Sequence, residues 1–143
     1  MEYRNVEGKD VFVEKKNMFI KRKAGGTQPL KLMAHPLENG SKLPLFHYPL
    51  LEQTGIVRHC FTTRCGGVSE GMFSTLNLSF SRGDIKQDVE ENYRRIAEAI
   101  GTDCEHLVCS DQTHTTNIRV VTESDAGKGI IRARDYTDVD GLI

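Results

Sequence analysis

His114 stands in an uninterrupted polar stretch, Ser110–Thr116, between two apolar runs. Imidazole is the commonest metal ligand in proteins and the natural acid or base near neutral pH. Gln112 and the neighbouring threonine hydroxyls are near enough in sequence to bond the second ring nitrogen and fix its tautomer. A solvated loop histidine is the plainer interpretation of the spacing alone. His114 is therefore a candidate catalytic or metal-binding residue, with Gln112 as its orienting partner.

Arg64 precedes Gly66 and Gly67 in a glycine-rich segment, Thr62–Gly71, that suits no regular element. Backbone N–H groups of a glycine turn can form a concave anion site, and a guanidinium adds bidentate hydrogen bonds to phosphate. A surface arginine on a turn explains the pattern equally well, because the motif is short. The segment is a candidate phosphate or substrate site.

Asn77 lies between two leucines in Ser74–Leu78. A buried asparagine needs hydrogen-bond partners, so it either holds a loop together or contacts a ligand. We favour the loop and keep Asn77 as a candidate substrate-binding residue.

Two further patterns, a set of four cysteines and a Gly-x-Ser-x-Gly segment, are weaker indications of a functional site. Cys60, Cys65, Cys104 and Cys109 form two Cys-x4-Cys pairs, at the limit of zinc-ligand spacing, and small buried thiols explain them better. The letters Gly-x-Ser-x-Gly in Gly67–Gly71 lack the preceding strand and following helix of a nucleophile elbow.

The composition of the 143-residue chain restricts its partners. It has 19 Lys+Arg against 20 Asp+Glu, and such a balance argues against a nucleic-acid binder. No apolar run approaches the roughly 20 residues that span a bilayer. The sequence begins without the apolar stretch of a signal peptide. We therefore expect a cytoplasmic protein with reduced thiols and neither nucleic-acid nor membrane partners.

The elements that must position these residues are a helix and several short strands. A capping pair, Asp84 with Gln87, and a period-3.6 stripe predict a helix over residues 85–100 that ends at Gly101. The stripe comprises Ile85, Val89, Tyr93, Ile96, Ala97 and Ile100. Apolar runs predict strands at Leu30–Met33, Gly55–Phe61, Leu107–Cys109 and Asn117–Thr122, and a hairpin of Val11–Val13 with Met18–Ile20. The segment Pro36–Pro49 is interrupted by proline, glycine, asparagine and serine, which predicts a connecting loop. This is an α/β fold, an α+β layering of a mixed sheet with packed helices.

Five ordered motifs resemble the YfiH-type laccase-domain family, described both as multicopper polyphenol oxidoreductases and as purine nucleoside phosphorylases with adenosine deaminase activity. The motifs are Phe61–Gly71, Ser74–Leu78, Gly83-Asp84 with the helix bearing Glu91–Ala97, Asp111–His114 and Asp138–Ile143. The likeness runs from about residue 56 to the end. The apolar runs and turn residues place N-terminal strands with a connecting loop in residues 1–50, and the resemblance implies the N-terminal half of the family domain in residues 51–143.

The resemblance implies a zinc or copper site built from three side chains, of which only His114 has a counterpart here. The chain also stops inside what looks like the opening of a strand, Asp138–Ile143. We therefore expect an incomplete YfiH-like domain, a fragment that is inactive alone and of undetermined oligomeric state.

The resemblance also implies substrates and roles. Purine nucleoside and phosphate would be the partners, in phosphorolysis of adenosine, inosine or methylthioadenosine and in deamination of adenosine through metal-activated water. Arg64, Gly66 and Gly67 would hold phosphate or sugar oxygens, and Gln112 would orient substrate or His114. The alternatives are a laccase-like polyphenol oxidase and a non-catalytic, truncated interaction module.

Overall fold

A computed structural model describes residues 30–143 and the backbones of two short strands, β1 (Glu2–Arg4) and β2 (Asp10–Phe12). β1 and β2 pair antiparallel. The first strand of the predicted hairpin overlaps β2, whereas Met18–Ile20 lies outside the described residues. The chain forms two compact units, Met1–Ile100 and Gly101–Ile143.

The sheet of the N-terminal unit contains β3 (Lys31–Pro36), β4 (Lys42–His47) and β5 (Phe61–Thr62), which pair antiparallel in that order. The predicted strand at Leu30–Met33 is thus present and longer. The prediction of a loop over Pro36–Pro49 was wrong, because this segment contains β4. Leu43 and Leu45 alternate along β4 and are fully buried, and that burial outweighs the prolines and glycine around them.

Helix α2 (Lys86–Ile100) confirms the predicted helix almost to the residue. It ends at Gly101, whose φ of 75° is the left-handed conformation that glycine adopts at helix ends. Ile96 packs into the core with four leucines, Leu37, Leu43, Leu45 and Leu76. The start of the helix differs from the predicted capping pair of Asp84 with Gln87. The Asp84 carboxylate accepts hydrogen bonds from the Ile85 N–H and the Asn77 side-chain amide instead. Ile85 is 62% exposed, so it does not belong to the buried stripe.

The predicted strand at Gly55–Phe61 was wrong except at its last residue. Helix α1 (Pro49–Glu52) precedes this segment, and regular pairing begins only at β5. Ile56 is 85% exposed and Val57 is 46% exposed. The β-branched run therefore lacks the burial that would hold it in the sheet.

The C-terminal unit is built around two short parallel strands, β6 (Ile118–Arg119) and β7 (Gly141–Leu142). The predicted strand at Asn117–Thr122 shrinks to β6, because Thr122 begins a 3₁₀ turn, Glu123–Asp125. The predicted strand at Leu107–Cys109 is irregular and follows another 3₁₀ turn, Cys104–His106.

Asp125 organises the polar connection after β6. It is 3% exposed and accepts hydrogen bonds from Arg119 (3.1 Å), Lys128 (2.8 Å) and the Thr122 N–H (3.0 Å). The hydrogen bond from Lys128 is the main reason that the pKa of the Asp125 carboxyl lies below its usual range. Hydrogen bonds to a buried carboxylate thus stabilise the turn that begins at Thr122, where the apolar pattern predicts the end of a longer strand.

The predicted α/β class is confirmed, with antiparallel and parallel pairing and few helices. In the part of the chain that the structure describes, no helix has the length and apolarity to cross a membrane.

Candidate functional site

The glycine-rich segment folds back on the Ser74–Leu78 segment in the N-terminal unit. The N–H groups of Thr75 and Leu76 both donate to the Arg64 carbonyl, at 2.9 and 3.0 Å. The Ser69 N–H donates to the Thr75 carbonyl at 2.9 Å. Two motifs that are separate in the sequence therefore form one double-layered loop, which we call the 64–78 loop.

Asn92 on α2 holds the two layers of the 64–78 loop together. Its side chain is fully buried. Its Oδ1 accepts from the Val68 N–H at 2.8 Å, while Nδ2 donates to Ser69 Oγ at 2.9 Å and to the Asn77 carbonyl at 2.8 Å. Helix α2 thereby fixes the loop through one amide. Sequence analysis missed this residue, although it lies three positions after Val89 and four before Ile96.

Arg64 is exposed and braces the rim of the same loop. Its Nη2 donates to the carbonyls of Met72 (3.3 Å) and Ser74 (3.0 Å). The guanidinium lines a cavity of about 540 Å³, within the range of small-molecule pockets. The position suits the predicted anion site, and direct contact with substrate stays a prediction.

Gly66 allows the loop to pack closely against β4, and Gly67 bonds within the loop. A Cβ on Gly66 would lie 2.6 Å from Leu43 Cδ1, and the φ of Gly66 is 90°. The Gly67 N–H donates to Thr75 Oγ1 at 3.2 Å. This amide already has a partner in the loop, and the predicted anion-binding role of both glycines stays a prediction.

Asn77 bonds within the loop, as the favoured interpretation predicts. Its Nδ2 donates to Asp84 Oδ2 at 2.8 Å and to the Ser79 carbonyl at 3.3 Å, and its Oδ1 accepts from the Ser79 N–H at 3.1 Å. The hydrogen bond from Asn77 is the main cause that lowers the pKa of Asp84. Its role as a substrate ligand stays a prediction.

His114 lies in the C-terminal unit on a loop that Asp140 holds. Asp140 Oδ1 accepts from the His114 N–H at 2.8 Å, and Oδ2 accepts from the N–H groups of Thr113 (3.2 Å) and Thr115 (2.9 Å). These bonds stabilise the backbone of His114 at a φ of 66°, which few non-glycine residues adopt. The imidazole is exposed at the tip of this loop. Sequence analysis did not single out Asp140.

The hydroxyls of Thr113 and Thr115, on either side of His114, donate hydrogen bonds to aspartates and not to the imidazole. Thr113 Oγ1 donates to Asp138, and Thr115 Oγ1 donates to Asp140. Among the described residues, no hydrogen bond to the His114 ring is present. The proposed tautomer control by these hydroxyls is therefore absent from this structure, and Gln112 is an exposed neighbour whose role stays a prediction.

The described residues do not form a metal site on their own. Within residues 30–143, no group of three His, Cys, Asp or Glu side chains is arranged to hold an ion. All four cysteines are thiols outside any disulfide bond, and burial raises the pKa of Cys60. The all-cysteine zinc site finds no support, and His114 supplies a single imidazole, where a catalytic metal takes about three protein ligands.

A histidine cluster in the N-terminal unit also escaped sequence analysis. The Nε2 atoms of His35 and His47 lie 2.9 Å apart, and their rings stack with centroids 5.0 Å apart. His59 packs edge-on against His47, and its Nε2 accepts from the Tyr48 N–H at 2.7 Å. Burial lowers the pKa values of His35 and His47. The 2.9 Å separation lets the two rings share one N–H···N hydrogen bond between β3 and β4, in which one ring donates and the other accepts.

The acid behaviour of the His114 loop follows from Asp140. Hydrogen bonds led by the Thr115 N–H lower the pKa of Asp140 to about 2. Because the folded pKa lies below the ordinary value of about 3.9, the loop is stabilised above pH ~4 and loses this stabilisation as the pH falls through about 2. We expect the amide shift of His114, followed by NMR, to titrate with a midpoint of about 2.

Asp140→Asn removes this titration, because a side-chain amide does not ionise in this pH range. The substitution also weakens the loop, because the amide nitrogen that replaces one carboxylate oxygen cannot accept from the Thr113 and Thr115 N–H groups. These two amides should then exchange with solvent about tenfold faster. Asp135→Asn, which alters an acid of the same unit that contacts Lys128, is the matched control. A midpoint near 4 in the unmodified chain would contradict the assignment.

The comparisons with known proteins place these loops in a family. The family model described as multi-copper polyphenol oxidoreductase laccase matches residues 58–143. This chain belongs to that family. The matched part of this laccase-family protein contains the whole 64–78 loop, all of α2 and the His114 loop.

The relatives of this laccase-family chain include "Purine nucleoside phosphorylase YlmD" from Geobacillus stearothermophilus, 42% identical over 85 residues, which are 57% of this chain and 30% of the relative. A purine nucleoside phosphorylase from Corynebacterium glutamicum is 37% identical over 79 residues, 55% of this chain and 32% of the relative. The crystal structure of Bacillus licheniformis hypothetical protein YfiH matches with a TM-score of 0.51 and 26% identity, over 78% of this chain and 36% of that one. The chain thus spans about a third of the length of these relatives.

Proposed function

We propose that this chain forms the N-terminal part of a purine nucleoside phosphorylase that cleaves adenosine, inosine or methylthioadenosine with phosphate. The observation that carries the proposal is the similarity to relatives named purine nucleoside phosphorylase, at 42% identity over 85 residues for the Geobacillus protein. The cavity beside Arg64 supports it, because it joins a guanidinium to an apolar wall.

Phosphorolysis of a nucleoside requires a site that binds the phosphate anion next to the sugar. A phosphate oxygen bonds to C1′ of the ribose while the C1′–N9 bond breaks. The electron pair of the C1′–N9 bond leaves with the purine. Positive charge develops on the sugar, so the oxygens around it must be held firmly. We assign this holding to Arg64 with the Gly66 and Gly67 amides, and the orientation of substrate or His114 to Gln112.

His114 is proposed as one ligand of a zinc or copper ion in the whole protein. The described residues supply no further ligands to complete such a site. The 143-residue chain alone should therefore release neither hypoxanthine from inosine nor ammonia from adenosine. Turnover by the chain alone would contradict this single-ligand role.

A chimera tests the proposed activity. Residues 58–143 would replace the matching segment of the Geobacillus stearothermophilus relative, and hypoxanthine release from inosine would be measured with and without phosphate. We expect phosphate-dependent release, and a loss of about a hundredfold or more in the His114→Ala chimera, since the metal would lose a ligand. A chimera that folds with the parent's unfolding temperature but releases no hypoxanthine would contradict the proposal.

Polyphenol oxidation is the second candidate, because the family model carries that description. The same chimera would be supplied with a phenolic substrate and oxygen after copper loading. Phenol oxidation without any phosphate-dependent hypoxanthine release would favour the oxidase over the phosphorylase. A chimera inactive in both assays would leave the non-catalytic interaction module.

A further inference from the structure

The cavity beside Arg64 has a second cation that sequence analysis did not consider. Arg82 lines the same cavity of about 540 Å³, together with Phe73, Leu76, Asn77 and Leu78. Among the described residues that line it, none is acidic. Two guanidinium groups therefore face one cavity without a carboxylate to neutralise them there.

Arg82 and Arg64 differ in how they are held. Arg64 uses Nη2 to brace the carbonyls of Met72 and Ser74. Arg82 makes no hydrogen bond or ion pair to any residue that the structure describes. The nearest acid in the sequence, Asp84, is already bonded to Asn77 and to the Ile85 N–H. The donors of Arg82 are therefore free for a ligand.

An arginine with free donors at a cavity fits an oxyanion, because the planar guanidinium matches two phosphate oxygens with parallel hydrogen bonds. The cavity is also lined by the apolar residues Phe73, Leu76 and Leu78. An aromatic ring and two leucines suit the carbon face of a sugar or a base. The cavity thus offers a polar and an apolar part to one ligand.

We propose that Arg82 is a direct phosphate ligand in this cavity and that Arg64 is the second cation of the same subsite. This rests on the proposed function, in which the phosphate group is present both as inorganic phosphate and, after bond formation to C1′, as the sugar 1-phosphate. Either source carries the same phosphate oxygens to Arg82. Arg82 then sets the affinity for phosphate, whereas Arg64 also shapes the loop.

Calorimetric titration of the full chain tests the subsite without any turnover. Inorganic phosphate and ribose 1-phosphate would be titrated separately into the unmodified chain, Arg82→Gln, Arg82→Lys and Arg58→Gln. We expect Arg82→Gln to weaken binding at least about tenfold, and Arg82→Lys to weaken it less, because lysine keeps the charge but loses the bidentate geometry. Arg58→Gln is the matched control, since Arg58 is an exposed arginine of the same unit that lines a different cavity.

Each outcome decides the subsite separately from the proposed activity. Equal affinity of the unmodified chain and Arg82→Gln, or no saturable binding of either phosphate compound, would overturn the subsite. Tighter binding of ribose 1-phosphate than of phosphate would show that the apolar wall holds the sugar, and the reverse would restrict the subsite to free phosphate; both support it. If Arg82→Gln weakens binding while the chimera lacks phosphorolysis, the subsite stands and the proposed function fails.

Discussion

Replacing Asn92 by alanine lowers the free energy of unfolding by about 3 kcal/mol. The substitution removes three hydrogen bonds. It leaves the Val68 N–H, the Asn77 carbonyl and the Ser69 hydroxyl without their Asn92 partner. A buried polar group without a partner costs about 1–3 kcal/mol, and the cavity adds to this loss. Urea unfolding followed by circular dichroism, with linear extrapolation to water, measures the change.

Two further variants isolate the cause. Gln87→Ala changes an exposed residue of α2 and should stay within about 0.5 kcal/mol of the unmodified chain. Asn92→Asp keeps the side-chain volume but replaces the amide donor that faces the Asn77 carbonyl with an acceptor. We therefore expect it to lower the free energy of unfolding by nearly as much as Asn92→Ala does. A loss below about 1 kcal/mol in Asn92→Ala would show that the loop does not depend on this amide.

Gly67→Ala is the second substitution with a large expected effect. A Cβ at this position would overlap the Thr75 carbonyl oxygen and Asn92 Oδ1, and it would lie 2.6 Å from Leu76 Cα. Two of these atoms belong to the backbone of the facing layer, so the loop must open to admit the methyl group. We expect a loss of about 3 kcal/mol, at the upper end for overpacking, by the same urea unfolding experiment.

Gly71→Ala separates this steric effect from backbone strain. Gly71 has a φ of 58°, and a Cβ there would meet nothing within 4 Å. Its replacement should cost about 1 kcal/mol, the penalty of a left-handed conformation alone. If Gly67→Ala destabilises the chain no more than Gly71→Ala does, the close approach of the two layers is wrong.

The candidate site shows which inferences a sequence supports. His114 and Arg64 are recognisable by residue type and by the motifs that the family shares. Asp140 lies within the Asp138–Ile143 motif and Arg82 lies in a serine-rich turn, but neither residue stands out by type, because an aspartate and an arginine in such segments are ordinary surface residues by composition. Their significance comes from the N–H groups that Asp140 accepts and from the cavity that Arg82 lines.

Helix α2, its end at Gly101, the α/β class and the family can all be inferred from the order of the amino acids. These follow from a period of 3.6, from a glycine at a helix end and from ordered motifs, all of which depend on residues near one another in the chain. Three features become visible only in the folded chain: Lys42–His47 is a strand, Gly55–His59 lies outside the sheet, and Asn92 is a buried hydrogen-bonding centre. The partners of Asn92 lie 15 to 24 residues away, so no local pattern encodes their contact. Burial and pairing between distant segments override local propensity, because they supply most of the free energy that fixes a loop or an edge strand.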